Sequence, residues 1–185
     1  GNVRFSVDAG VIDRLGNELV SRQETAVSEL VKNSYDADAT CVKLTFINSN
    51  ETGGTLVIED SGVGMTKEQL INGFMRISST DKVRHPYSDL YNRKRAGKKG
   101  IGRFAVQRLG RNLSIITKSI NEDSAYKLSI DWDKYVGEKN LTDITNTIEN
   151  INSDKTFGTT LRIENLRDKW TEAAIKRIYR YVSDI

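Results

Sequence analysis

The chain has 185 residues, of which 37% are hydrophobic and 29% are charged, and its formal net charge is +3. This length suits one domain with its own core, and so small a net charge does not by itself indicate a nucleic-acid partner. No apolar run reaches the roughly 18 residues that cross a bilayer, and no signal-peptide pattern opens the chain, so we expect a cytoplasmic protein with no membrane partner. The single cysteine, Cys41, excludes an intrachain disulfide, and its strand-like surroundings predict a core residue.

The first strong motif is ELVKNSYDADA, which places Glu29, Asn33 and Asp36 at positions i, i+4 and i+7. On a helix these three side chains project from one face, among largely apolar neighbours. Ser21 and Glu24 predict a capping box that opens this helix, which should end near Asp36. An amide oxygen can bind Mg²⁺ and a carboxylate can take a proton from water, so the stripe suits nucleotide hydrolysis. An exposed helix with ordinary polar residues is the alternative.

A β-hairpin is predicted next, over residues 41–47 and 55–60, and it runs into a D-x-G-x-G motif. This motif consists of Asp60, Gly62 and Gly64. A carboxylate at the end of a strand can accept a hydrogen bond from an exocyclic amine, and glycines let the backbone turn sharply beside a flat ring. A plain Asp-Ser-Gly turn is the alternative.

A long polar segment follows a short predicted helix. Thr66 and Gln69 form a capping box for that helix, which should run through Gly73. Residues 76–99 are then polar and charged, and a compact domain seldom has so long an irregular stretch without a functional reason. Five of the seven residues in RKRAGKK are cations. We interpret them as a solvated loop rather than a DNA contact, although cations beside a phosphate loop also attract nucleotides.

The segment GKKGIGRFA places glycines at 97, 100 and 102 before a run that is compatible with a helix. A glycine-rich loop that enters a helix offers free backbone N–H groups and a positive dipole end to phosphate. A flexible surface loop with solvated lysines is the alternative. Later predicted elements are strands at about 112–119, 124–132 and 141–151, a GTTLRI strand, and a helix over 168–182. The pattern predicts an α+β fold, with a mixed, mostly antiparallel sheet and helices on one face.

The three motifs, in this order, resemble the GHKL ATPase superfamily of DNA gyrase B subunits, ninety-kilodalton heat-shock chaperones, sensor histidine kinases and MutL. The resemblance covers roughly residues 10–165 and implies a Bergerat-type two-layer α/β sandwich that binds ATP and Mg²⁺. It implies that Glu29 is the catalytic base, that Asn33 binds Mg²⁺ and that Asp60 binds the adenine amino group. Thr159 matches the family's late threonine better than Thr160 does. The residues that the resemblance assigns to nucleotide binding are Asn33, Asp36, Asp60, Gly62, Gly64, Met65, Lys82, Gly97, Lys99, Gly100, Ile101, Gly102, Arg103, Phe104 and Thr159.

In detail, the helix motif and the second glycine motif are similar to the MutL and MORC branch. The resemblance therefore implies an ATP-binding and ATP-hydrolysing switch module with an ATP lid at about 76–102. We expect residues 76–99 of this lid to be mobile until ATP binds. Relatives dimerise with ATP, so a homodimer is expected. They also reach the γ-phosphate with a lysine from a following domain. We therefore expect residues 1–185 to be one domain, the N-terminal fragment of a longer protein, with slow turnover in isolation and nucleic-acid contacts only through that parent protein.

Two alternatives stay open. One is the ATP-binding domain of a histidine kinase, but Glu29 stands where such kinases typically have asparagine, and the only histidine, His85, lies in a loop. The other is a nucleotide-binding module without turnover, which the intact motifs disfavour. Ser79, Thr80 and Lys82 resemble a Thr-Ser-Lys string of MutL-like relatives, and either a phosphate contact or ordinary loop chemistry fits them.

Overall fold

A computed structural model describes residues 1–74, 87–95, 102–153 and 156–183. Its strands are β1 (Val42–Ile47), β2 (Thr55–Asp60), β3 (Gly110–Lys118), β4 (Ala125–Asp131), β5 (Thr147–Ile151) and β6 (Gly158–Leu166). Its helices are α1 (Val11–Leu19), α2 (Gln23–Asp36), α3 (Lys67–Phe74), α4 (Gly102–Leu109) and α5 (Glu172–Ser183). Helix α2 carries the first motif, the end of β2 carries the second, and α4 begins at the last glycine of the third.

The six strands form one open sheet in the order β1-β2-β6-β3-β4-β5. All pairings among these described strands are antiparallel, so the predicted α+β fold is confirmed and its sheet is more uniform than the predicted mixed one. Strand β6 is the last in the sequence, yet it pairs with β2 on one side and with β3 on the other. In this register Asp60 lies opposite Thr159, and Thr159 lies opposite Thr117. One end of the sheet therefore gathers residues that are far apart in the sequence.

The hydrophobic core lies between the helices and one face of this sheet. Helix α4 contacts β3, β6, α1 and α2, and so it occupies the centre of the helical layer. Alternate residues of β3, including Leu113 and Ile115, point into the core, as the two-residue period of a strand requires. Burial of each large aliphatic side chain stabilises the fold by about 1.5–3 kcal/mol. Trp132 and Trp170 are buried in this core, whereas Cys41 is exposed and the prediction of a core cysteine is wrong.

The two predicted capping boxes have different outcomes. The Thr66 amide donates to Oε1 of Gln69 at 2.9 Å and the Gln69 amide donates to Oγ1 of Thr66 at 3.1 Å, so this box is confirmed. The box of Ser21 and Glu24 is wrong, because α2 begins one residue later than such a box requires and no side chain of the described residues caps it. Glu24 is instead drawn to Arg177 of α5, with a separation of 3.7 Å between Oε1 and Nη2.

Two other boundaries differ from the prediction. The segment predicted as a strand at 141–151 begins with a 3₁₀ turn, Leu141–Asp143, and only β5 pairs with the sheet. Helix α5 begins later than residue 168, because the hydroxyl of Thr171 accepts the Ala174 amide at 3.2 Å and so marks its first turn. Within the described residues no helix combines the length and the apolar character that a bilayer-spanning segment needs.

Candidate functional site

The carboxylate of Asp60, at the end of β2, is fixed by donors from three different parts of the chain. Its Oδ1 accepts the Gly62 amide at 2.9 Å and the Thr159 amide at 3.3 Å. Its Oδ2 accepts the Ser34 hydroxyl at 2.8 Å. Hydrogen bonds to an ionised acceptor are stronger than neutral ones, so these contacts set the orientation of the carboxylate firmly. Thr159 rather than Thr160 is thus the threonine beside Asp60.

The glycines of the D-x-G-x-G motif are required by the close packing of the turn. A β-carbon on Gly62 would lie 2.7 Å from the carbonyl oxygen of Ala37, at the end of α2. Gly64 has φ of +69°, and a β-carbon there would overlap the carbonyl oxygen of Lys118. Side chains are therefore excluded at both positions, and the turn lies directly against the first motif and against β3.

Thr117, in β3, joins the glycine turn to Thr159 and was not among the predicted site residues. Its side chain is 0% exposed, its Oγ1 accepts the Met65 amide at 2.9 Å, and it lies 2.9 Å from Oγ1 of Thr159. The period of β3 marks Thr117 as an inward-facing polar residue, which was the available signal. Ser34 was not predicted either, although it directly follows Asn33 inside the first motif.

Helix α2 supplies the other functional groups. Glu29 is 4% exposed, and its Oε1 lies 3.4 Å from Nζ of Lys32. Asn33 is half-buried one turn further along, and Asp36 is buried at the end of the helix. A β-carbon placed on Gly102 would lie 2.9 Å from Nδ2 of Asn33, so the start of α4 approaches that amide closely. A helix start beside an amide is suited to bind phosphate at its N–H groups and a cation at the amide oxygen.

Of the remaining predicted site residues, some pack in the core and the others lie outside the described residues. Met65 is partly buried against the core, and Phe104 belongs to the core itself with 3% of its surface exposed. Lys82, Gly97, Lys99, Gly100 and Ile101 lie outside the described residues, as do Ser79, Thr80 and His85, and so does the side chain of Arg103. The assignment of all these residues to a nucleotide stays a prediction.

The described part of the long polar segment, residues 87–95, is attached to the chain just after α2. Asp38 and Arg93 make this attachment, while Tyr87, Leu90 and Tyr91 are about half exposed. Burial alone would raise the pKa of the Asp38 carboxyl, but hydrogen bonds from the Ser88 hydroxyl and from the Leu90 and Tyr91 amides, with the Arg93 charge, hold it below its ordinary value. The prediction of a solvated loop is therefore wrong for Arg93, whose guanidinium is engaged by the protein.

The donor set fits a Mg²⁺ ion that is shared with a nucleotide. Among the described residues no cluster of three or more histidine, cysteine, aspartate or glutamate side chains could hold a metal alone. Mg²⁺ usually takes one or two protein ligands and completes its octahedron with substrate phosphates and water. The Asn33 amide oxygen can supply one such ligand beside the start of α4, and the rest would come from the nucleotide and solvent.

Comparison with known proteins agrees with this geometry. A model of the family described as histidine kinase-, DNA gyrase B- and HSP90-like ATPases matches residues 20–159, a span that includes both glycine motifs, Glu29 and Thr159. The match therefore covers most of the chain, including Glu29, Asn33, Asp60, Thr117 and Thr159.

Individual relatives are similar over shorter or comparable spans. The DNA mismatch repair protein MutL of Carboxydothermus hydrogenoformans is 31% identical over 86% of this chain and 27% of its own length. MutL of Dictyoglomus turgidum is 34% identical over 59% of this chain and 18% of its own. The chaperone protein HtpG of Oceanobacillus iheyensis is 30% identical over 69% of this chain and 23% of its own. The chain thus spans about a quarter of the length of these relatives.

Proposed function

The chain belongs to the family of histidine kinase-, DNA gyrase B- and HSP90-like ATPases, and from that premise we propose that it binds ATP with Mg²⁺ and hydrolyses it. The observation that carries the proposal is the hydrogen bond from Ser34 to Asp60. It joins the carboxylate at the end of β2 to the helix turn that bears Asn33. An acceptor for an adenine amino group and a ligand for a phosphate-bound cation therefore lie within one site.

Each functional group has one role in this proposal. Asp60 accepts a hydrogen bond from the adenine amino group, and its three donors keep it from turning away. Asn33 would hold Mg²⁺, which would neutralise charge on the phosphates. The N–H groups at the start of α4 add a positive dipole end beside Asn33. Glu29, buried one turn before Asn33, orients a water molecule and removes its proton, a role that typically contributes 10²–10⁴-fold to the rate.

We also propose that turnover drives a conformational switch rather than metabolic ATP consumption. MutL is named as a DNA mismatch repair protein and HtpG as a chaperone, and both are several times longer than this chain. A domain of this kind would act on other parts of its protein, with ATP binding favouring a dimer and with any nucleic-acid contact made elsewhere. The competing assignment, a histidine kinase, is disfavoured by Glu29, because a carboxylate at that position supports hydrolysis by water.

The test is Glu29→Gln in the full-length protein, with Glu24→Gln as the matched control. Both glutamates are buried on α2, but Glu24 pairs with Arg177 at the other end of the helix. Calorimetry should give Glu29→Gln the ATP affinity of the wild type, while phosphate release falls at least 100-fold. Glu24→Gln should keep both the ATP affinity and the rate of phosphate release of the wild type. If Glu29→Gln retains turnover within about threefold of the wild type, Glu29 is not the base, and the kinase or non-catalytic alternative gains.

A further inference from the structure

A cavity of about 240 Å³ lies between α1, α4 and the turn that follows β4, and we call it the α1 cavity. Its lining includes Asp13 of α1, Gln107 of α4, the adjacent Trp132 and Asp133, and Arg167, which directly follows β6. A water molecule occupies about 30 Å³ in the liquid, and drug-sized ligands need about 300–1,000 Å³. The α1 cavity therefore has room for a molecule between these two sizes.

The α1 cavity lies at the opposite end of the sheet from the proposed nucleotide site. Thr159 lies opposite Thr117 at one end of the pair formed by β3 and β6. Leu166, the neighbour of Arg167, lies opposite Gly110 at the other end. A strand rises about 3.3 Å per residue, so the length of β3 from Gly110 to Thr117 is roughly 23 Å. A ligand in the α1 cavity would therefore occupy a separate site.

Gln107 fixes two groups of opposite charge at the α1 cavity. The residue is 3% exposed. Its Nε2 donates to Oδ1 of Asp13 at 3.0 Å, and its carbonyl oxygen accepts a hydrogen bond from Nε of Arg167 at 2.7 Å. Among the described residues neither charged group forms a salt bridge with the other or with any other side chain. A carboxylate and a guanidinium that line one cavity without neutralising each other suit a ligand that carries both charges.

The charge of Arg167 is half-buried without an anion in contact. Apart from Nε, its guanidinium donates to no acceptor among the described residues. Burial lowers the pKa of Arg167, and the more distant charges of Asp13 and Asp133 do not offset this effect. Burial of a charge is unfavourable unless the charge is paired and hydrogen-bonded. A carboxylate bound by the planar guanidinium would supply the pairing and the hydrogen bonds together.

Trp132 provides a second donor at the same cavity. It is 6% exposed, and its Nε1–H has no acceptor in the described part of the chain. Its ring packs against that of Tyr135, with 5.7 Å between the two ring centres, so the orientation of the indole is fixed. A buried tryptophan N–H usually has a hydrogen-bond partner. An acceptor oxygen bound in the α1 cavity would be that partner.

We propose that the α1 cavity binds a free α-amino acid. The α-carboxylate accepts hydrogen bonds from Arg167 and from the N–H of Trp132, and the carboxylates of Asp13 and Asp133 attract the α-ammonium group. A small anion would lie near these two carboxylates without a cation of its own, and a small amine would leave Arg167 without a partner. Only a ligand with both charges matches the whole lining. Such a site would exist whether or not the protein hydrolyses ATP.

The experiment is calorimetric titration of the full-length protein with the standard amino acids, one at a time. We expect at least one of them to bind with a Kd below about 1 mM. Two derivatives of that amino acid test the recognition of both charges. The N-acetyl derivative lacks the ammonium group and the α-amide lacks the carboxylate, so each should bind at least about tenfold more weakly.

Variants of the lining test whether the amino acid lies in the α1 cavity. Arg167→Gln and Trp132→Phe each remove a hydrogen bond to a charged group, so each should weaken binding at least about tenfold. Arg111→Gln is the matched control, because Arg111 is an exposed cation whose charge acts on Arg167 from outside the lining. It should leave the affinity within twofold of the wild type. If Arg167→Gln does not fold, Asp133→Asn, at an exposed position, takes its place and should weaken binding at least threefold.

Four results would overturn the inference. If no amino acid binds, the α1 cavity holds only solvent. If both derivatives bind as tightly as the amino acid, the site does not recognise the two charges. If Arg111→Gln weakens binding as much as Arg167→Gln does, the effect is only long-range attraction between charges. If ATP displaces the amino acid by direct competition, the amino acid is bound at the nucleotide site.

Discussion

Asp60→Asn should change the base preference of the site without unfolding the protein. The two backbone donors at Oδ1, from Gly62 and Thr159, cannot rotate, so the amide of the variant must keep its oxygen towards them. Its NH₂ group then faces the Ser34 hydroxyl, which can accept because it has a second partner, the Leu30 carbonyl at 3.4 Å. All three internal contacts survive, and we expect the free energy of unfolding to change little.

The substitution should instead weaken nucleotide binding. The adenine amino group would lose a hydrogen bond to a charged acceptor, which is worth about 1.5–3 kcal/mol. Since 1.4 kcal/mol is tenfold in affinity, the Kd for ATP should rise by about 10- to 150-fold. Inosine triphosphate carries an oxygen where ATP carries the amino group. The wild type should therefore bind inosine triphosphate much more weakly than ATP. The amide of the variant can donate to that oxygen, so the ratio of ATP affinity to inosine triphosphate affinity should be smaller in Asp60→Asn.

Calorimetric titration of both nucleotides into wild type and Asp60→Asn measures the affinity and the preference together. Asp123→Asn, an exposed aspartate in the turn after β3, is the control and should match the wild type for both nucleotides. An ATP affinity within threefold of the wild type, or an unchanged ratio of ATP to inosine triphosphate affinity, would show that Asp60 does not bind the adenine amino group.

Three further variants test other parts of the site. Gly102→Ala puts a β-carbon 2.9 Å from Nδ2 of Asn33, so the amide should be displaced and the Mg²⁺ dependence of ATP affinity should fall, while the midpoint of thermal unfolding stays near that of the wild type. Thr117→Val leaves the half-buried Met65 amide without its acceptor, which should cost about 1–3 kcal/mol in denaturant unfolding. The pKa of Asp38 is lowered in the folded state, so ionised Asp38 stabilises the fold. This contribution to the free energy of unfolding should be complete above the ordinary carboxyl pKa of about 3.9. It should be lost as the pH falls through the lower pKa of the folded state. The difference in that free energy between wild type and Asp38→Asn should accordingly shrink between pH 6 and pH 2.

Each of these has a matched control. Gly73→Ala adds a β-carbon to α3 that would meet no group from another element of the described structure within 4 Å, so it should leave the Mg²⁺ dependence unchanged. Thr147→Val, on an exposed position of β5, should shift the unfolding free energy by less than about 0.5 kcal/mol. Asp89→Asn should keep the wild-type dependence of the unfolding free energy on pH. If a test variant gives the same result as its control, the contact that the variant was designed to change does not have the role assigned to it.

The local parts of this structure follow from local sequence patterns. The stripe at Glu29 and Asn33 lies on the predicted helix, the hairpin of β1 and β2 forms as its turn residues predict, and the box of Thr66 and Gln69 closes. Each of these depends on residues that are close along the chain. The capping box at Glu24 is absent because α2 begins one residue later than the box requires, and the Glu24 carboxylate lies instead near Arg177 of α5, more than a hundred positions later.

The parts that could not be predicted are set by long-range pairing. Nothing local to β6 shows that it lies between β2 and β3, so neither the contact from Thr159 to Asp60 nor the role of Thr117 could be derived from spacing. Arg93 was grouped with the other cations of its run, because the sequence does not show that the carbonyl groups at the end of α2 are available to one of them. Hydrogen bonds between distant segments can be assigned only when the fold is known.

The central position of β6 also has a consequence for synthesis on the ribosome. The hydrogen bond from the Thr159 amide to Asp60 joins residues that are 99 positions apart. At a translation rate of 5–20 residues per second, about 5–20 s pass between the emergence of these two partners. During that interval β2, and β3 once it has emerged, present an unpaired edge, which is open to another nascent chain or to a chaperone. Nucleotide cannot bind to the complete site until β6 has closed the sheet, so the last strand decides both when the domain finishes folding and when it can first bind its ligand.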